Sequence, residues 1–99
     1  MSSPEAEGRQ TERLLLTMVN RRGLHARAAA KFVNTVEFFQ SEVDVTKDGQ
    51  TVSGRSIMGL LMLAATLGST IEVTVQGSDA RPAADALAAL VNDGFGETD

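Results

Sequence analysis

Every second residue of Thr70-Ile71-Glu72-Val73-Thr74-Val75-Gln76 is apolar, a period that suits a β-strand burying one face and wetting the other. Ser41 to Lys47 repeats the pattern, with Val43 and Val45 set against Glu42, Asp44 and Thr46. A sheet with one apolar face needs a second layer to cover it. Three stretches supply that layer. From Ala26 to about Phe39, apolar residues at 26, 29, 30, 33 and 36 follow helical spacing, while Arg27, Lys31 and Asn34 fall on the other side. Ser56 can cap a second helix through Ile57 to Ala65 that stops near Gly68. A third runs from Ala80 to Val91, with Ser78 or Asp79 as cap, Pro82 in its first turn and Gly94 just past its end. Arg13 to Val19 is long enough for another strand, and the Asp48-Gly49 hairpin signal leads into a short one, Thr51 to Ser53. The order β-α-β-β-α-β-α predicts an α+β layer fold, with helices on one face of a mainly antiparallel sheet. Glu42, Asp44, Thr46, Glu72, Thr74 and Gln76 would face water on the other.

With 99 residues, 42% of them hydrophobic, one domain exhausts the chain. The boundaries read as a disordered leader over 1–11, a folded unit over 12–95 and a tail over 96–99, because the leader is polar, aperiodic and punctuated by Pro4 and Gly8. There is no cysteine and a single histidine, so no disulfide framework and no metal site are expected. The start of the chain lacks a signal-peptide core, and the apolar run Ile57 to Ala65 is too short to cross a bilayer, which points to a cytoplasmic protein without membrane insertion. A net charge of −4 argues against nucleic acid as partner.

That one histidine carries the functional reading. His25 lies in Gly23-Leu24-His25-Ala26-Arg27, where the first helix begins. Imidazole can be a neutral nucleophile near pH 7, and a helix start offers free backbone N–H groups and a positive dipole end to an anion. The pairing suits a phosphoryl group carried on His25. Ala26 and Arg27 would supply the N–H groups and the Arg27 guanidinium would compensate charge. From Arg13 to Val36 the chain carries Arg13, Arg21, Arg22, Arg27 and Lys31 and no acid, so the histidine sits in a cationic segment of an acidic protein. Such a segment could steer a phosphorylated or acidic partner; the plainer alternative is a solvated loop and a helix-boundary histidine.

Gly23-Leu24-His25-Ala26-Arg27, together with Arg55-Ser56-Ile57-Met58-Gly59-Leu60-Leu61 at the start of the second helix, resembles HPr, the phosphocarrier family of the bacterial phosphotransferase system. The resemblance spans residues 13 to 95. It implies an open-faced β-sandwich: a four-stranded antiparallel sheet with three helices on one side. It also implies a monomeric carrier, itself not an enzyme and needing no cofactor. His25 would be phosphorylated on Nδ1 by enzyme I, with phosphoenolpyruvate as original donor, and would pass the group to enzyme IIA in sugar transport. Where the family usually has proline after the motif arginine, this chain has Ala28, which supports a helix at least as well and leaves room for a partner. By the same resemblance Ile57, Met58 and Leu61 would contact enzyme I and enzyme IIA, leaving Leu60 and Leu63 for the core, and Ala28 joins the partner-binding set because its small side chain lets a partner close over the ring. Ser56 would be a regulatory site for HPr kinase/phosphorylase beside its work as N-cap. The ending Val91-Asn92-Asp93-Gly94-Phe95-Gly96-Glu97 is similar to nitrogen-related paralogues. That leaves a regulatory module acting by phosphorylation-dependent protein binding as one alternative, and a non-covalent small-ligand module as another.

Overall fold

The structure, a computed structural model, describes residues 10–98. Its elements are β1 (Gln10–Thr17), α1 (Ala26–Glu37), β2 (Glu42–Lys47), β3 (Gln50–Ser53), α2 (Ile57–Met62), β4 (Thr70–Gly77) and α3 (Ala80–Asn92), followed by a single 3₁₀ turn, Gly94–Gly96. The strands form one antiparallel sheet in the order β1-β4-β2-β3, with the three helices against it. The α+β order expected from the sequence is the order observed.

Alternation decides which face is covered. Leu16, Val43, Val45, Ile71, Val73 and Val75 are buried, and register aligns them: Leu16 lies opposite Ile71, Val45 opposite Val73 and Val43 opposite Val75. Phe32, Val33, Val36, Leu60, Leu87 and Val91 close over them from the helices. Each of these large side chains contributes roughly 1.5–3 kcal/mol on leaving water. The outer face keeps Asp44, Thr17 and Gln76 exposed, together with one large apolar side chain, Leu15.

Several boundaries differ from the sequence reading. β1 begins at Gln10, so Gln10 and Thr11 belong to the sheet; the rest of the expected leader, residues 1–9, lies outside the described residues. The strand also stops at Thr17, because Met18 leaves the ladder to exchange hydrogen bonds with the loop after α2: its N–H donates to the Ser69 carbonyl and its carbonyl accepts from Gly68. Helix α1 buries Ala28, Ala29, Phe32, Val33 and Val36, whereas Ala26 is exposed and Ala30 half-buried. The large Phe32 ring turns the helix so that the 28/32/36 row faces the sheet. Helix α2 ends at Met62 rather than Ala65, since Ala64 takes a left-handed conformation at φ 52°. The Ala65 carbonyl beyond it accepts the Leu24 N–H at 2.8 Å. Asp79 stands at the N-terminus of α3 without capping it. Its carboxylate instead accepts from the Ser41 hydroxyl and the Gln40 N–H, tying down the α1–β2 connection, and the Ser41 hydrogen bond foremost holds the Asp79 carboxyl below its ordinary range.

Candidate functional site

His25 is the N-cap residue of α1, in extended conformation, and no side chain caps the helix. The first intrahelical bond runs from the Ala29 N–H to the His25 carbonyl at 2.8 Å, so the N–H groups of the first turn, those of Ala26 and Arg27 included, have no partner within the helix. Ala26 and Arg27 are exposed, and water or an anion can reach them.

Gly23 delivers the histidine there. It adopts φ +62°, and a Cβ at this position would lie 2.2 Å from the Ala65 carbonyl oxygen and 2.8 Å from Thr66 Cα. Only glycine combines a left-handed turn with that approach. The turn is closed by the Gly23 N–H bonding to the Asn20 carbonyl at 3.1 Å, and the next residue, Leu24, is buried and anchored on Ala65. His25 thus leaves a backbone fixed on both sides.

A carboxylate meets the ring. Glu97 Oε2 pairs with His25 Nε2, and Glu97 Oε1 accepts from Asn20 Nδ2 at 2.9 Å. Asn20 is buried and donates from the same nitrogen to the Gly23 carbonyl at 2.8 Å. The Glu97 side chain is only 8% exposed, against 21% for His25. Donation from Asn20, with smaller contributions from His25 and Lys31, outweighs burial and holds the Glu97 carboxyl below its ordinary value. The chain reaches this position through the 3₁₀ turn, in which Phe95 is buried at φ 59° and its carbonyl accepts from Lys31 Nζ at 2.6 Å. Residues 96 and 97, expected to lie in a tail, therefore include part of the site. The sequence resemblance took in Glu97 only as part of the chain's ending and gave no sign of its pairing with the histidine, 72 positions away.

The cationic segment is divided by the fold. Arg13 is exposed on the outer face of the sheet opposite Thr74, Arg21 and Arg22 are exposed in the turn before His25, and Lys31 is engaged with the Phe95 carbonyl. Glu97 adds an acid to a stretch that has none in sequence.

Ser56 caps α2, its Oγ accepting the Gly59 N–H at 2.9 Å. Beyond it Ile57 is 39% exposed and Met58 70%, Leu61 is half-buried, and Leu60 and Leu63 are in the core. Helices α1 and α2 pack against each other. Ala28 corrects the expected contact set: it is completely buried, with no surface for a partner, because its row on α1 faces the core. Among the described residues no helix is long and apolar enough to cross a membrane, and no cluster of His, Cys, Asp and Glu suits a metal ion. An open apolar groove of about 670 Å³ between α1 and α3, lined by residues that include Phe38, Phe39 and Leu90, does not take in His25.

A family model described as the PTS HPr component phosphorylation site matches residues 13–93. A phosphocarrier protein HPr from Neisseria meningitidis is 50% identical over 82 residues, covering 83% of this chain and 92% of that one. A phosphocarrier protein NPr from Shewanella violacea is 40% identical over 82 residues, covering 83% and 90%. Among solved structures, the crystal structure of HPr-C-His from Thermoanaerobacter tengcongensis is 37% identical and superposes with a TM-score of 0.84, covering 88% of this chain and 98% of that one.

Proposed function

The chain belongs to the HPr family of phosphotransferase-system phosphocarriers, and from that premise we propose that it accepts a phosphoryl group on His25 from phosphorylated enzyme I and hands it to an enzyme IIA. The observation that carries this reading is the placement of the single histidine at an uncapped helix start. The nucleophile and a set of free N–H donors for its phosphoryl group share one helical turn there.

A carrier must hold the group stably enough to diffuse and loosely enough to give it up. The N–H groups of Ala26 and Arg27 and the Arg27 guanidinium, all on the exposed side of the first turn, balance the charge of the phosphoryl group without enclosing it. Partner proteins complete the site in turn. Ile57, Met58 and Leu61 supply an apolar docking surface on the adjoining helix, and flexible methionine suits a surface that meets more than one partner. Phosphorylation of Ser56 by an HPr kinase would place roughly −1.5 to −2 charge beside that surface. The protein's place of work on this reading is the cytoplasm, as a monomer.

The test is incubation with enzyme I and labelled phosphoenolpyruvate, followed by addition of an enzyme IIA. An acid-labile, base-stable label that is absent in His25→Ala and passes on to the second protein is the expected result. Label retained in that variant would remove the proposal.

A further inference from the structure

We infer that Glu97 is a positioning residue that keeps the His25 proton on Nε2 and so presents Nδ1 as the free nucleophile. This inference rests on the carrier reading above. It adds a member, drawn from the end of the chain, that neither motif contains.

Three observations converge on it. First, the carboxylate is placed rather than loosely tethered: the Lys31–Phe95 hydrogen bond and the buried Phe95 ring fix the turn two residues before it, and Asn20 occupies Oε1. Second, only Oε2 is left for the ring, and it meets Nε2, while among the described residues Nδ1 makes no hydrogen bond. Third, the environment favours the ionised carboxyl, with Asn20 the largest cause. An ionised carboxylate only accepts hydrogen bonds, so the Nε2 facing it must carry the proton. In a neutral imidazole one nitrogen is donor and the other has the lone pair. Fixing the first fixes the second.

The chemistry balances on that tautomer. The Nδ1 lone pair forms a bond to phosphorus as the bond from phosphorus to the donor protein's phosphoamino acid breaks, and that bonding pair stays with the donor. Nε2 keeps its proton throughout, so the ring becomes cationic and Glu97 faces the new charge at hydrogen-bonding range. On delivery the P–N bonding pair returns to Nδ1 and the neutral Nε2–H tautomer is restored, still held by the same carboxylate. With the opposite tautomer, Nδ1 would bear a hydrogen and have no pair to give. Asn20 acts one step further out, by holding the carboxylate.

Nitrogen NMR of protein labelled with ¹⁵N-histidine decides the matter without any donor protein, and so independently of whether His25 takes a phosphoryl group. Spectra are recorded at about pH 8.5, two units above the ordinary histidine range. Wild type should show a protonated Nε2, a lone-pair Nδ1 and a downfield, slowly exchanging Nε2–H proton. Glu97→Ala should lose that proton signal and relax toward the tautomer mixture of free histidine. Glu97→Gln, whose amide oxygen can still accept, should retain part of it, and unchanged backbone spectra would separate these effects from unfolding. A protonated Nδ1 in wild type, or identical ring signals in wild type and Glu97→Ala, would overturn the inference.

Discussion

Helices α1 and α2 pack against each other and begin in opposite ways. At α2 the Ser56 hydroxyl turns inward and accepts the Gly59 N–H, so the helix satisfies its own first turn. At α1 the cap residue is His25, whose ring is turned away to Glu97 and caps nothing. One start is closed and adds stability; the other is open and leaves donors for a ligand. An uncapped start forgoes about 1 kcal/mol that a serine or aspartate would contribute. The fold offsets this locally, anchoring Leu24 on Ala65 and Asn20 on both Gly23 and Glu97.

The largest expected effect comes from breaking that anchorage. Gly23→Ala places a Cβ against the Ala65 carbonyl in a left-handed conformation, and should cost about 3 kcal/mol or more, read as a fall in the denaturation midpoint. A loss under about 1 kcal/mol would mean that the open start is not held by this contact. Next, Arg27→Ala should slow phosphoryl acceptance about ten-fold, roughly 1.4 kcal/mol of barrier, while thermal unfolding stays put, because Arg27 is exposed and alanine suits the helix. Equal rates with enzyme I and enzyme IIA would make Arg27 ordinary surface.

The closed start is sharpened by two substitutions at one position. Ser56→Ala should lower stability by about 1 kcal/mol through the lost cap and should leave phosphorylation of His25 intact. Ser56→Asp should keep the cap yet weaken docking of enzyme I, since its charge must be desolvated beside Ile57 and Met58. Unfolding curves should therefore shift for alanine alone, and enzyme I-dependent phosphorylation should slow for aspartate alone. Unchanged kinetics for aspartate would detach Ser56 from the docking surface.

The smallest effect concerns acid. Because Glu97 is held below its ordinary value of 4.5, its contribution to stability is fully present above that pH and is lost as pH falls through the folded-state value. Asp79, lowered from 3.8, acts in the same direction and remains when Glu97 is removed. Glu97→Gln should accordingly make the acid loss of stability shallower without abolishing it, in denaturant titrations from neutral pH down to about pH 3. An unaltered slope would show the carboxyl to be unperturbed.

How legible these two starts were in the sequence differs as much as the starts themselves. The Ser56 cap and the period-two strands follow from local rules, the core places of Leu60 and Leu63 from the family resemblance, and the structure has them. The length of α2 does not: Ala64 favours helix by propensity, but Leu24 recruits the Ala65 carbonyl and the chain turns left-handed before it. Ala28 was expected at the partner-binding surface because it is small and adjoins the motif, whereas the burial of Phe32 four residues on carries its row into the core. Glu97 was hidden most deeply. Its pairing with His25 depends on the path of the chain after α3, where Phe95 is buried and Lys31 reaches its carbonyl. No periodicity announces such a contact.

The claim on which all of this turns is that His25, at the open helix start, is the atom-level carrier. Phosphorylating ¹⁵N-labelled protein with enzyme I and phosphoenolpyruvate, then recording phosphorus–nitrogen coupling, addresses it directly. One new P–N bond is expected, to Nδ1 of His25, with Nε2 still protonated toward Glu97. Coupling to Nε2, or phosphorus found as an ester on Ser56 while His25 stays free, would contradict it.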